Sequence, residues 1–286
     1  MTAPLPDTPD VLRDTAERVA REAAEHLRSL PAPHASAQVG DGAVWTKSSP
    51  TDVVTESDAS VERFLRDRLA VLRPGEPVFG EEGAGNESEA RWVLDPIDGT
   101  VNYLYGLPWY AISVAAVRDG RTLAGAVAEP ASGRLWSAAL GSGATRDGVP
   151  LRVSTTTDPS QALVGTGFSY RSERRERQAR MVAGLLPRVR DVRRAGSAAL
   201  DLCAVGAGWL DGYVEHGCHW WDWAAASLVA AEAGAVLGIA GGPDDLGPAP
   251  GGAGPGGLGA DVAFAAAPGV AAALVDLARE NGAGEV

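Results

Sequence analysis

The chain has 286 residues, 45% hydrophobic and 22% charged, an ordinary globular balance with length for one large domain or two smaller ones. A formal net charge of −12 argues against a non-specific nucleic-acid binder and against an anionic membrane surface, and no apolar run approaches a bilayer span. The segment Met1–Pro9 is polar and proline-rich without a signal-peptide core, and Cys203 and Cys218 are too few for a disulfide framework, so a reducing cytoplasm is expected.

Thr8-Pro9 reads as an N-cap and first helical position, and Leu12, Ala16, Val19, Ala23 and Leu27 follow at helical spacing up to Pro31. A loop over 32–43 leads into a polar run that ends in Thr55-x-x-Asp58. That pattern has the form of a capping box for a second helix, with Val61, Phe64, Leu65, Leu69 and Leu72 on one stripe. On this segment alone Asp58 is a capping residue. Pro77-Val78-Phe79-Gly80 reads as a short strand running into Glu81-Glu82, which a solvated acidic loop would also explain. The next apolar strand ends in Asp95-Pro96-Ile97-Asp98-Gly99-Thr100. Pro96 and Gly99 suit a tight turn that aims both carboxylates into one space. Two carboxylates so close repel unless a proton or cation lies between them, and a divalent metal is the simplest candidate. If the segment after Gly99 is helical, its first N–H groups suit an anion.

Residues 110–117 and 123–129 read as strands joined at Asp119-Gly120, and 134–138 and 144–153 continue the pattern with a second hairpin turn at Asp147-Gly148. The fold class expected is α/β with an α+β first half built on an antiparallel sheet. Polar residues 154–160 place a domain boundary at 158, giving units 1–158 and 159–286. The second unit alternates: strands at 162–166, 189–192, 212–215, 236–239 and 262–266, and helices at 172–186, 197–205, 223–233 and 270–280. Between the last two strands, 241–259 is rich in Gly and Pro and reads as a long loop.

Glu81, Asp95 and Asp98 sit at expected strand ends, and Asp222, within Trp220-Trp221-Asp222-Trp223, at the start of a helix. Hard oxygen donors with no Cys or His in their motifs suit Mg²⁺ or Mn²⁺ rather than Zn²⁺. His216-x-x-His219 is the competing metal pattern, but it is not HExxH and reads as structural. There is no Gly-x-Ser-x-Gly elbow, and Cys203 lies in an apolar run without a nearby His. A P-loop is absent, and Gly165-x-Gly167 lacks the third glycine of a dinucleotide site. Metal-assisted chemistry on a phosphate leads by elimination.

Asp95-Pro96-Ile97-Asp98-Gly99-Thr100-Val101-Asn102-Tyr103 resembles the first signature of the inositol monophosphatase family, lithium-sensitive Mg²⁺-dependent phosphatases. Trp221-Asp222-Trp223-Ala224-Ala225-Ala226, continuing to Glu232-Ala233-Gly234, resembles its second, with Ala235 where a second glycine is usual. Lys47 through Asp58 and Gly80-Glu81-Glu82 match in order, and the likeness covers roughly Val11 to Leu277. It implies a layered α-β-α-β-α sandwich of the sugar-phosphatase type. It also implies one Mg²⁺ on Glu81, Asp95 and the Ile97 carbonyl, a second on Asp95, Asp98 and Asp222, and a weaker third on Glu81 and water, with Mn²⁺ as a substitute. By the same resemblance Asp58 and Thr100, with Glu81, form the catalytic set that orients and deprotonates the attacking water. Gly99 and Thr100 N–H groups hold the phosphate, and Lys47 is the nearby cation. Gly196, Ser197, Ala198 and Glu215 face the alcohol, with Asp98 and Asp222 at the edge of the substrate.

Phosphate-monoester hydrolysis is among the slowest uncatalysed reactions, so both the attacking and the leaving oxygen need stabilisation. Metal ions do both, and they answer the charge puzzle: acids recruit cations, and cations recruit the phosphate. The resemblance implies hydrolysis of myo-inositol 1-phosphate by activated water without a covalent intermediate. Histidinol phosphate, fructose 1,6-bisphosphate and adenosine 3′,5′-bisphosphate are alternatives on the same scaffold, and a transcription-associated binding role is known in some members. Tyr103-Leu104-Tyr105-Gly106-Leu107-Pro108 leans towards inositol-type members. The expected partner is a small phosphorylated polyol, with no membrane and no direct nucleic-acid contact, and the family pattern is a homodimer.

Overall fold

The structure is a computed structural model and describes residues 7–31, 44–46, 53–83, 85–239 and 257–286. The first expected helix is α1 (Pro9–Ser29), with Leu12, Ala16, Val19, Ala23 and Leu27 on its buried face and Pro9 where a missing N–H leaves no bond unmade. Two short antiparallel strands follow, β1 (Val44–Thr46) and β2 (Val53–Thr55), which the polar sequence did not announce. Lys47 lies outside the described residues, as does 241–256 of the glycine-rich stretch. α2 (Glu56–Leu72) opens with the expected capping box, the Thr55 N–H donating to Asp58 Oδ2 over 2.8 Å.

The strands β3 (Val78–Gly80) and β4 (Trp92–Asp98) precede the short helix α3 (Thr100–Leu104). Five more follow: β5 (Ala111–Arg118), β6 (Arg121–Ala128), β7 (Leu135–Ala139), β8 (Gly143–Arg146) and β9 (Val149–Pro150). Together β3 to β9 form a seven-stranded sheet in sequence order. It is antiparallel from β4 onward, while β3 joins β4 in parallel, so the sheet is mixed rather than purely antiparallel. Both two-residue hairpins have the left-handed pair that a type I′ turn requires: Asp119 (φ 53°) with Gly120 (φ 74°), and Asp147 (φ 51°) with Gly148 (φ 78°).

The second half begins with β10 (Leu163–Thr166), α4 (Ser172–Leu185), β11 (Asp191–Arg193), α5 (Ala198–Gly206) and β12 (Gly212–His216). It ends with α6 (Trp220–Glu232), β13 (Val236–Ile239), β14 (Val262–Ala266) and α7 (Pro268–Glu280). The sheet order is β11-β10-β12-β14-β13, with β10, β11 and β12 parallel and β14 antiparallel to both neighbours. α6 starts at Trp220, three residues before the expected 223, because the Asp222 carboxylate caps the chain entering it: the His219 N–H donates to Asp222 Oδ2 over 2.6 Å.

Five layers result. α1 and α2 cover one face of the large sheet, α5 and α6 lie between the two sheets, and α4 and α7 cover the outer face of the second. The middle helices read Ala-Ala-Leu-Asp-Leu-Cys-Ala-Val-Gly and Trp-Trp-Asp-Trp-Ala-Ala-Ala-Ser-Leu-Val-Ala-Ala-Glu, small and apolar on nearly every face, as helices enclosed on all sides must be. β5 is buried along its whole length for the same reason: Ile112, Val114 and Ala116 face α1 and α2, and Ala111, Ala115 and Val117 face α6.

Candidate active site

Strand parity explains how the two aspartates of the first signature meet. Side chains alternate along a strand, so residues 95 and 98 would ordinarily point to opposite faces. Asp95 pairs with Ser113 and Asp98 with Ala111, so three steps on β4 oppose two on β5. The extra residue is a β-bulge, and it turns both carboxylates to the face covered by α6. This corrects the expected tight turn: Pro96 sits inside the bulge of a strand that runs on to Asp98. Gly99 then takes a left-handed conformation (φ 97°) as the N-cap of α3. A Cβ there would come within 3.1 Å of the Gly196 carbonyl and 3.2 Å of the Trp109 carbonyl, so backbone and space both require glycine.

α6 delivers the third carboxylate. Oxygens of Asp95, Asp98 and Asp222 all lie within 4.8 Å of one another, the first two buried and the third half-buried. Glu81 follows β3 directly, and its N–H donates to the Leu94 carbonyl over 3.3 Å, which places it beside Asp95. Burial raises the pKa of Asp95 well above the usual carboxylate range, and the charges of Glu81, Asp98 and Asp222 push it further the same way. Asp222 is likewise raised well above that range, by loss of solvent and then by Asp98 and Glu81. Asp98 is pushed up to about 7 by burial, against the opposing pull of hydrogen bonds from the Ser197 hydroxyl and the Ala199 N–H.

Those bonds bring the second half of the chain to Asp98. Its Oδ2 accepts from Ser197 Oγ at 2.5 Å and from the Ala199 N–H at 2.7 Å, and Oδ1 accepts from the Ala198 N–H at 3.3 Å. Ser197 also caps α5, accepting from the Leu200 N–H at 3.2 Å. The expected alcohol-facing segment Gly196, Ser197 and Ala198 therefore holds a carboxylate of the acidic cluster at the N-terminus of α5, where a negative charge is favoured. Asn102 ties the same segment down, its Nδ2 donating to the carbonyls of Trp109 (2.7 Å) and Ala195 (2.9 Å).

Asp58 and Thr100 are brought together across the chain. Thr100 Oγ1 lies 3.0 Å from both Asp58 Oδ1 and the Ile97 carbonyl, and the Thr55 hydroxyl donates to Asp58 Oδ2 over 2.5 Å. Asp58 is fully buried; that burial, with Glu81's charge adding, raises its pKa to about 6 against the lowering hydrogen bonds from Thr55.

Two supports were not legible beforehand. Glu62 and Arg66 on α2 clamp the Glu81 loop: Glu62 Oε2 accepts from the Glu82 N–H at 2.7 Å, and Arg66 donates to the carbonyls of Val78 (3.1 Å) and Gly83 (3.0 Å). Their i, i+4 spacing was visible, but it looks like any solvated helix pair. Tyr213 is the second, donating to Glu215 Oε2 over 2.6 Å. Burial raises the pKa of Glu215. The competing pair resolves as structural: His216 Nε2 lies 2.6 Å from the Leu258 carbonyl, while His219 is exposed.

The donor set fits a divalent cation. Clustered carboxylates that are pushed towards protonation ionise together only beside positive charge, and oxygen-only donors match Mg²⁺ or Mn²⁺.

Known proteins resemble this chain over nearly its whole length. Residues 8–275 match the profile described as "Inositol monophosphatase family". An inositol-1-monophosphatase of Mycobacterium leprae (strain TN) is 52% identical, over 99% of this chain and 98% of the relative. The inositol-1-monophosphatase SuhB of Mycobacterium tuberculosis (strain ATCC 25618 / H37Rv) is 50% identical over the same shares. A solved structure of Mycobacterium tuberculosis SuhB superposes with a TM-score of 0.78 at 45% identity, covering 97% of this chain and 99% of that one.

Proposed function

The chain belongs to the inositol monophosphatase family, and from that premise we propose that it hydrolyses myo-inositol 1-phosphate to myo-inositol and phosphate. Membership makes it a phosphoric monoester hydrolase. The observation that carries the reading is the convergence of Asp95, Asp98 and Asp222 from a strand bulge and a helix start. The choice of inositol 1-phosphate is supported by the names and near full-length match of the mycobacterial relatives.

Glu81, Asp95, the Ile97 carbonyl, Asp98 and Asp222 would hold Mg²⁺, two or three ions in the family's pattern, with Mn²⁺ as a substitute. Bound there, the metal supplies neutralisation of the phosphate oxygens and a lowered pKa for water. Thr100 and Asp58 orient the attacking water: the Thr100 hydroxyl passes its proton towards Asp58 and takes the water's in exchange. The Gly99 and Thr100 N–H groups take the phosphate, Lys47 adds a cation, and Glu215, with the Gly196–Ser197–Ala198 segment, meets the alcohol. We assign these roles from the family's motifs, and the placement of Ser197 and Ala198 on Asp98 links the alcohol side to the metal ligands. The homodimer and the cytoplasmic setting are proposed on the same basis, and the free cysteines agree with a reducing compartment.

A panel of myo-inositol 1-phosphate, histidinol phosphate, fructose 1,6-bisphosphate and adenosine 3′,5′-bisphosphate, assayed with Mg²⁺ and with or without Li⁺, tests the substrate. The highest kcat/KM is expected for inositol 1-phosphate, with inhibition by lithium. A strong preference for histidinol phosphate would replace the substrate and leave the chemistry standing.

A further inference from the structure

Gly165-x-Gly167 is not a nucleotide motif in this fold; it is a clearance. Gly165 on β10 pairs with Tyr213 on the neighbouring parallel strand β12, and Glu215 lies two residues further along the same face. A Cβ built on Gly165 would come within 2.8 Å of Leu210 Cδ1 and 3.2 Å of the Tyr213 ring, and one built on Gly167 would overlap the Glu215 carboxylate. Two missing side chains, one on β10 and one just past its end, therefore leave room for Leu210 and the Tyr213 ring and for the Glu215 carboxylate.

Tyr213 is fully buried, and its hydroxyl gives Glu215 Oε2 a 2.6 Å bond. Among the described residues this is the only hydrogen bond to the Glu215 carboxylate, and the Tyr213 hydroxyl has one other hydrogen-bond contact, Cys218 Sγ at 3.9 Å. A glutamate has three rotatable bonds; the Arg194 charge also acts on this carboxylate, but Tyr213 makes the directional bond to it. We propose that Tyr213 is a positioning residue for substrate choice: packed beside Gly165, it holds the Glu215 carboxylate, which fills the space left by Gly167, in the one orientation that meets the hydroxyls of the alcohol. The proposal rests on the reading above that Glu215 faces the alcohol. A site built to hydrogen-bond a hydroxyl discriminates strongly only while its polar group is held in place.

Two variants disturb Glu215 by different means. Tyr213→Phe removes the bond and keeps the packing; Gly167→Ala pushes on the carboxylate, the movable end of a flexible side chain. The experiment measures kcat and KM with Mg²⁺ for myo-inositol 1-phosphate and for p-nitrophenyl phosphate, whose leaving group has no further hydroxyls. Each variant is expected to lower the ratio of the two kcat/KM values about ten-fold, through KM for the polyol. Tyr213→Phe added to Glu215→Ala, which removes the acceptor, should cost no more than Glu215→Ala alone. Equal losses on both substrates, an unchanged ratio, or additive losses would overturn the proposal. Should the wild type prefer a different hydroxylated phosphomonoester, the inositol reading fails by itself, and the same ratio measured with that ester still decides the role of Tyr213.

Discussion

At the scale of single residues the site is a problem of like charge. Asp95 is raised by burial and by Glu81, Asp98 and Asp222, so removing its charge relieves the metal-free protein while disabling the cluster. Asp95→Asn is therefore expected to lose Mg²⁺-dependent phosphate release by at least about a hundred-fold, yet to melt at a higher temperature than wild type in chelator at pH 8. A lower melting temperature there would show that Asp95 is ionised and satisfied without metal. Thr100 makes a separate prediction. Thr100→Val deletes the hydroxyl beside Asp58 and should lower kcat about a hundred-fold with KM nearly unchanged, and Thr100→Ser should restore most of it. Loss in both variants alike would point to packing around α3 rather than proton transfer.

At the scale of elements, what was legible in the sequence followed from local chemistry. Thr55-x-x-Asp58 announced α2, Asp119-Gly120 and Asp147-Gly148 announced their hairpins, and the acids were placed at the ends of β3, β4 and the start of α6. The bulge was not legible, because Pro96 and Gly99 suit a turn equally well and only the pairing with β5 counts the extra residue. β1 and β2 escaped because three residues each carry no periodicity. The antiparallel insertion of β14 escaped because strand order is a tertiary fact. The Glu62–Arg66 clamp was hidden for the same reason: its partners are backbone groups of another element. Arg66→Met should loosen the Glu81 loop and raise the Mg²⁺ concentration for half-maximal activity several-fold, with kcat retained at saturation. An unchanged Mg²⁺ requirement would reduce the clamp to a stabilising contact. Ser197→Ala removes both the cap of α5 and a bond to Asp98, and should lower stability by about 1–2 kcal/mol in denaturant unfolding.

At the scale of the whole molecule, α5 and α6 share one apolar core with strands of both sheets, so the clustered acids are carried by elements packed into a single core. We propose residue 158 as the seam between the two units, on the strength of the short connection that runs from β9 past Ser154, which donates to Asp211 at 2.5 Å, into β10. The buried acids also set how stability depends on pH. Without metal, Asp58 at about 6 and Asp98 at about 7 lie above their ordinary 3.8, so the folded chain binds more protons than the unfolded one between those values. Stability from these groups is complete below about 4 and falls as pH rises towards 7. Asp7, lowered to about 2 by Arg118, acts the other way, but its window closes below 4. Mg²⁺ should therefore raise the melting temperature more at pH 8 than at pH 5; equal gains would mean the cluster is not its binding site.

The central claim is that acids from both halves of the chain make one Mg²⁺ site that works on a phosphate ester. Phosphate release from myo-inositol 1-phosphate, followed against Mg²⁺ concentration in the wild type and in Asp222→Asn, tests it most directly. No release is expected in chelator, a saturable rise with Mg²⁺ in the wild type, and at least about a hundred-fold less in the variant at every Mg²⁺ concentration. Release that survives chelation, or a variant that titrates like the wild type, would contradict it.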